Sequence, residues 1–460
     1  MTKTNTHHRA FAPMLESPIP LLIARLAVPT IISMLVTAIY NMADTFFVSQ
    51  LGTSASGAVG IVFSLMAIIQ AVGFTLGMGS ASLVSRSLGA DKGDEANHIA
   101  SVAFFSAMAI GILMAVGGIF FSDALMEALG STPTILPYAQ AYGHYILLGA
   151  PLMCSSFVLN NLLRSQGRAA LSMIGLTAGG ILNIILDPVF IFVFDLGIAG
   201  AAIATLISQA ISFLILLSMF LFKKSVVSLH LSLFFTSWKT WFFPIFKNGM
   251  PSLSRQGLAS VATVALNVQA GAYGDATVAG MSITGRIFMF VLSVMIGLGQ
   301  GFQPVAGFCY GAKRYDRVKK GFIFTLILGF VLLTLAACAL FFGAPALIRL
   351  FRDDPLVIEV GTNAVRYQSV ALPLLSLIMT GNMLLQSTGH AHQATFLSMC
   401  RQGVFFLPLI LVLPPLWGLT GVEIVQPVSD IFSAVTAVPF VVAFFKKVKK
   451  LETEIELLNG

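Results

Sequence analysis

Twelve apolar stretches, each about as long as a lipid bilayer is thick, run through this chain between short polar breaks. They lie roughly at 21–48, 55–85, 96–121, 138–163, 168–194 and 198–222, then at 241–270, 276–304, 318–343, 357–387, 392–415 and 419–445. A helix needs about 20 apolar residues to cross the hydrocarbon core. Only helices and closed barrels satisfy their backbone groups in lipid. Barrel strands are about half this length and alternate in polarity, so the runs predict membrane-spanning helices. Composition agrees: only 10% of the 460 residues are charged, too few to cover a water-facing surface, and mean hydropathy is +0.90.

The basic residues orient the spans. With the N-terminus in the cytoplasm, 19 of the 26 lysines and arginines fall in cytoplasmic segments, and two, Arg349 and Arg352, on the opposite side. The remaining five, Arg25, Arg255, Arg286, Arg366 and Arg401, fall within spans. Cytoplasmic loops carry the excess of Lys and Arg, so both termini are expected to be cytoplasmic, in a multi-pass protein of the cell inner membrane. The net charge of +7 therefore reports topology and not a nucleic-acid partner. Met1 to Pro20 is polar and broken by Pro13, Pro18 and Pro20, so it lacks the apolar centre of a signal peptide. Lys446 to Lys450 reads as a cytoplasmic stop signal that can touch anionic lipid. The four cysteines are isolated in or beside apolar runs, which suits packing better than metal binding or disulfides.

The two halves repeat at an offset of 222 residues. Pro29 meets Pro251, Gly52 meets Gly274, Gly77 and Gly79 meet Gly299 and Gly301, and Gly89-Ala90 meets Gly311-Ala312. Pro151, Asn160, Ser165 and Gly167 likewise meet Pro373, Asn382, Ser387 and Gly389. After one deletion, Leu196-Gly-x-x-Gly meets Trp417-Gly-x-x-Gly. Six spans per half is an even number, so the halves share one orientation, as parallel repeats do. The expected organisation is a cytoplasmic tail at 1–20, an N-terminal lobe at 21–222, a cytoplasmic linker at 223–240, a C-terminal lobe at 241–445 and a tail at 446–460. Transporters built from such halves bind substrate between them and rock them for alternating access.

Acidic groups inside the spans are few. Asp44 closes Tyr40-Asn41-Met42-Ala43-Asp44 in the first span, and Asp187 lies in Asn183-Ile-Ile-Leu-Asp187-Pro188 of the fifth. A charged carboxylate at mid-membrane costs roughly 2.5–3.5 kcal/mol on insertion scales, so such groups mark ion or substrate paths. Asn183 and Asp187 are four apart and Asn41 and Asp44 three apart, so each pair shares a helix face. Carboxylates with amide oxygens around a small cavity suit a hard cation, or a proton on a desolvated carboxylate. The plainer alternative is that they bond neighbouring helices. Pro29 cannot complete the helical ladder and offers a bend in the first span.

These stretches carry a family resemblance. The chain resembles the multidrug and toxic compound extrusion (MATE) transporters of bacteria over roughly residues 20–445. The matching motifs are Pro29 with Asp44, Val48-x-x-Leu-Gly52, Gly77-Met-Gly79 and Leu83-Val-Ser-Arg86-x-Leu-Gly-Ala. Asn183-x-x-x-Asp187-Pro188, Leu196-Gly-x-x-Gly-Ala-Ala and Gly299-Gln-Gly-Phe-Gln-Pro304 complete the set. The resemblance implies an all-α membrane protein of 12 transmembrane helices in two pseudo-symmetric six-helix bundles. It implies antiport: lipophilic organic cations leave as H⁺ or Na⁺ enters, with no other cofactor, in a chain expected to act as a monomer. Members of the DinF-like and archaeal type hold a cation in the N-terminal lobe. That pattern carries over to Asp44, Asn183, Asp187 and Thr205, with Na⁺ or a proton as the ion. NorM-like members place a Glu on the seventh helix, whereas this chain reads Pro251-Ser-Leu-Ser-Arg255-Gln256-Gly257 there.

The C-terminal half instead offers Arg255, Arg286 and Arg401 with Asp430 and Glu423, a polar cluster that serves either structure or substrate. A buried Arg without a partner is costly, so Asp430 is expected to brace one of the arginines. Such arginines would also suit the pyrophosphate of a lipid-linked precursor, which keeps a flippase as the alternative function. Gly77-Met-Gly79 lies inside an apolar span, so close helix packing explains it better than nucleotide binding. His7, His8, His390 and His392 lie in polar stretches and read as inert. With no nucleophile beside a base and no phosphate loop, the chain is not expected to be an enzyme.

Overall fold

The computed structural model describes residues 13–459. Lys3, His7, His8, Arg9 and most of the expected N-terminal tail lie outside the described residues. Among these residues the chain is helical throughout. The first half contains α1 (Ile19–Ser49), α2 (Thr53–Gly89), α3 (Gly93–Phe120), the short α4 (Ser122–Ala128), α5 (Leu136–Ser165), α6 (Ala169–Pro188) and α7 (Gly197–Leu221). The second half contains α8 (Leu231–Gly271), α9 (Asp275–Gly311), α10 (Tyr315–Phe351), α11 (Pro355–Ala371), α12 (Leu375–Ser387), α13 (Ala391–Met399), α14 (Phe406–Trp417) and α15 (Leu419–Asn459).

Eleven stretches among the described residues are long and apolar enough to cross a bilayer. The twelfth span of the fold is α8, whose membrane half carries Ser252, Ser254, Arg255, Gln256, Ser260, Asn267 and Gln269. That polarity, and not length, sets it apart, since α8 has 41 residues. The segment between the halves is helical from Leu231 onwards. Two spans read as continuous are jointed. A 3₁₀ turn at Leu372–Leu374 separates α11 from α12, where Pro373 has no N–H to give the ladder. A π turn at Cys400–Val404 separates α13 from α14. Another, Val189–Val193, follows Pro188 at the end of α6.

The internal repeat reappears in the backbone. Left-handed conformations recur at the sequence offset: Gly52 and Gly274 at φ 111° and 100°, Asp91 and Lys313 at 58° and 56°, Gly167 and Gly389 at 76° and 86°. Asn160 donates to the Ser172 carbonyl at 3.1 Å, and its counterpart Asn382 donates to the Ala394 carbonyl at 2.6 Å, so the same bond staples the same two helices in each half.

The chain divides into two compact units. One comprises residues 28–253, and the other residues 1–27 with 254–460. Each unit thus takes in the segment that leads into the first helix of the opposite half. In the first unit, Gly79 lies against the backbone of Ile245, and Gly249 against that of Thr75. A side chain at either position would collide, which is why glycines stand where α2 and α8 touch. In the second unit a Cβ on Gly301 would sit 2.6 Å from the backbone of Ala27. Arg317 clasps the same segment, donating from Nη2 to the carbonyls of Met14 (3.1 Å) and Ser17 (2.7 Å).

Candidate functional site: a buried acid cluster in the first unit

Four helices of the first unit converge on Asp44. α1 supplies Asp44 and Tyr40 one turn before it, α5 supplies Tyr142, α6 supplies Asn183 and Asp187, and α7 supplies Thr205. All six side chains are buried, Asp187 completely. Small residues let the helices approach this closely. A Cβ on Gly179 would meet Ser212 of α7 at 2.9 Å, and one on Gly180 would meet the Tyr40 ring at 3.3 Å.

The polar contacts are sparse. Tyr142 donates its hydroxyl to Asp44 Oδ2 at 3.2 Å. The Asn183 amide donates to Asp187 Oδ1 at 3.1 Å, the contact that their four-residue spacing foretold, and to Thr205 Oγ1 at 3.2 Å. Asp44 and Asp187 lie within reach of each other's charge, and both act on Tyr40 and Tyr142. Asn41 stays apart: it is half-buried, and only its backbone carbonyl is engaged, by Thr45 Oγ1 at 2.9 Å. Tyr142 and Tyr40 escaped the sequence reading, because a tyrosine in an apolar span reads as packing; the only signal was a hydroxyl in a stretch where few groups can donate.

Among the described residues the cluster is short of donors and has no cationic side chain paired with its acids. Asp44 Oδ1, Asp187 Oδ2 and Asn183 Oδ1 are buried with no hydrogen-bond partner. Each buried polar atom left alone costs roughly 1–3 kcal/mol, so three oxygens gathered in one place call for an explanation. A set of carboxylate, amide and hydroxyl oxygens suits a hard monovalent cation or a proton. Among the described residues no three His, Cys, Asp or Glu side chains gather, so a thiolate or imidazole metal centre is not formed.

The second unit resolves its acid differently. Asp430 accepts from Arg401 Nε at 2.7 Å and from the Gln426 amide at 2.9 Å, and Gln426 in turn accepts from Gln402 at 3.3 Å. Arg255, half-buried, and Arg286, exposed, form no ion pair among the described residues. Of the five residues grouped there by sequence, the structure brings together Arg401 and Asp430. Glu423 is buried two turns before Asp430, beside Asn363.

Comparison with known proteins completes the identification. The MatE family model matches residues 29–189 and 251–412, one match in each half of the repeat. The chain belongs to the MATE family of transporters. It is 28% identical over 439 residues to the multidrug export protein MepA of Staphylococcus saprophyticus, covering 94% of this chain and 95% of that one. Its identity to MepA of Staphylococcus aureus is 29% over 412 residues, 88% of this chain and 90% of that one. Among solved structures it resembles a multidrug resistance MATE family transporter of the MOP superfamily in an outward-facing conformation. The TM-score there is 0.90 at 26% identity, covering 95% of this chain and 98% of that one. A MOP superfamily transporter from Pyrococcus furiosus matches with a TM-score of 0.89 at 26% identity, with the same coverage. This MATE chain is therefore a multi-pass membrane transporter of the twelve-helix fold, and not an enzyme.

Proposed function

We propose that the chain is a multidrug antiporter that exports lipophilic organic cations from the cell in exchange for H⁺ or Na⁺. The observation that carries the coupling is the acid cluster of Asp44, Asn183, Asp187 and Thr205, buried without a basic side chain and with three oxygens unpartnered. The multidrug export named for the MepA relatives supports the cargo. The placement of the acids in the N-terminal half, with none on the seventh span, supports the DinF-like type of coupling.

The chain's own residues would work as follows. Asp44 and Asp187 supply the charge that attracts the ion, Asn183 and Thr205 supply neutral oxygens, and Tyr142 holds Asp44 in place through its hydroxyl. Coupling requires the ion to bind two conformations of the transporter with different affinity. Pro29 lies four turns before Asp44 on α1, where a missing ladder bond makes bending easy. Neutralising Asp44 removes a reason for α1 to hold one shape. The basic residues concentrated in alternate loops support cytoplasmic termini in a protein of the inner membrane.

A flippase would gather several basic groups around a pyrophosphate, whereas of Arg255, Arg286 and Arg401 only Arg401 joins the Asp430 cluster among the described residues. Purified transporter in proteoliposomes, given a Na⁺ gradient and a proton gradient separately, should accumulate a lipophilic cation under one of them. Accumulation under neither gradient, with transport of a lipid-linked pyrophosphate instead, would reverse the assignment.

A further inference from the structure

The repeat that builds the acid cluster builds a second site in the other half, with different contents. At the offset of 222 residues, Tyr40 corresponds to Ala262, Asp44 to Leu266 and Tyr142 to Ala364. Beyond the deletion, Thr205 corresponds to Gln426 and Ser208 to Ser429. The two tyrosines that fill the first unit's cluster are thus alanines in the second, and its first-span carboxylate is a leucine. Space opens beside Ala262, the position that corresponds to Tyr40. A cavity of about 170 Å³ lies there, with Ala262, Leu266 and Gln426 in its wall.

The cavity has two distinct ends. Leu266, Met281, Phe288, Leu292 and Phe406 form an apolar wall, while Arg401, Gln402, Gln426 and Gln368 are the polar lining. An apolar cavity of about 150 Å³ holds a benzene ring, so this one admits a single aromatic ring with a small substituent. Arg401 decides which substituent. Its Nε is held by Asp430 at 2.7 Å, and Ser429 Oγ fixes its backbone by donating to the Arg401 carbonyl at 2.6 Å. Gln426 donates to the same Asp430 oxygen and is itself held by Gln402. Among the described residues the four N–H groups on the Arg401 Nη atoms make no hydrogen bond, and the side chain keeps 17% of its surface open. A guanidinium with its stem fixed and its fork free is preorganised to donate two parallel hydrogen bonds to a carboxylate.

We propose that this cavity is a binding subsite for an aromatic carboxylate, the acidic arm of an amphiphile that the transporter handles. The ring packs against Phe288, Phe406 and Leu266, and the carboxylate accepts from the Arg401 fork. Asp430 is a positioning residue that holds the guanidinium and offsets its charge while the site is empty of acid. The open guanidinium fork has only donors and offers an ammonium no acceptor, so the site discriminates against cationic rings. That the arm belongs to an exported molecule rests on the export function proposed above; binding to the cavity does not.

The test uses the full chain in nanodiscs, with saturation-transfer NMR of benzoate, methyl benzoate and benzylamine, and empty nanodiscs as the control for partition into lipid. Saturable benzoate binding, at least about tenfold tighter than the ester or the amine, is the expected result, each tenfold being about 1.4 kcal/mol of recognition. Ala262→Tyr restores the ring that the other half carries and leaves the ion pair untouched; it should abolish benzoate binding. Arg401→Gln with Asp430→Asn removes both charges at nearly constant shape and should do the same. Equal binding of benzoate and its ester, no saturable benzoate binding, or unchanged binding in either variant overturns the proposal. Ethidium export by the same preparations is measured in parallel. Its absence in the wild type counts against the export reading alone, and the benzoate result stands.

Discussion

The two halves of this transporter descend from one pattern of helices yet treat a buried carboxylate in opposite ways. In the first unit, Asp44 and Asp187 meet a tyrosine hydroxyl and an amide, and each keeps one oxygen without a partner. In the second, Asp430 meets a guanidinium and an amide on one oxygen, and its other oxygen is not sealed in the interior. A carboxylate that is already answered has little reason to bind an ion, whereas one that is left short must acquire a proton or a cation to be at ease in a low-dielectric site. Under the proposed coupling, the contrast separates a group kept for exchange from a group kept for architecture, although both are acids buried in membrane spans.

Substitutions should expose that difference. The largest effect is expected from Asp44→Asn or Asp187→Asn singly. Resistance of cells to a lipophilic cation such as ethidium should fall to the level of cells without the transporter. Membrane levels should hold, since removing a buried charge lowers the cost of insertion. Asp430→Asn should do the reverse. Breaking a buried pair by removing one partner costs on the order of 3–5 kcal/mol, and Arg401 keeps some exposure, so the lower end applies. Thermal unfolding in detergent should show a lowered midpoint, and adding Arg401→Gln should recover most of it. An Asp430→Asn variant as stable as the wild type would break the comparison.

Intermediate effects should come from the neutral oxygens. Asn183→Leu or Thr205→Ala removes one uncharged partner from the cluster, worth about 1 kcal/mol. Each should raise the ion concentration needed for half-maximal export several-fold, to about tenfold, without abolishing it. The smallest effects belong to residues the structure leaves outside both clusters. Asn41→Ala should leave the ion dependence unchanged, because its side chain does not join the acid cluster. Arg286→Gln should shift stability by less than about 0.5 kcal/mol, as exposed side chains without partners do. A strong ion phenotype in Asn41→Ala would redraw the site.

Much of this was legible in the sequence, for identifiable reasons. Span length is set by the bilayer, so long apolar runs betray helices directly. The offset of 222 residues revealed the repeat because glycines in left-handed turns, such as Gly52 and Gly274, and the stapling Asn160 and Asn382 tolerate few replacements. The Asn183–Asp187 contact followed from helical spacing. Other features depend on contacts between distant segments. Nothing in the order of residues selects Arg401 over Arg255 or Arg286 as the partner of Asp430; the fold does. Tyr142 lies 98 residues from Asp44, and its hydroxyl becomes meaningful only when α5 packs on α1. The cavity beside Arg401 is the least legible feature, since it arises from what Ala262 lacks. The jointed spans at Pro373 and at Cys400–Val404 are local departures that an apolar run conceals.

The central claim is that the first unit's acids couple ion movement to transport and do not merely hold helices together. The most direct measurement compares two modes of the Asp44→Asn, Asp187→Asn double variant in proteoliposomes. One mode is exchange of labelled for unlabelled lipophilic cation at equal concentration, which needs no driving ion. The other is accumulation of that cation against its gradient, driven by the ion that serves the wild type. The double variant should retain exchange and lose accumulation. Accumulation at the wild-type rate would contradict that claim and move the coupling away from Asp44 and Asp187.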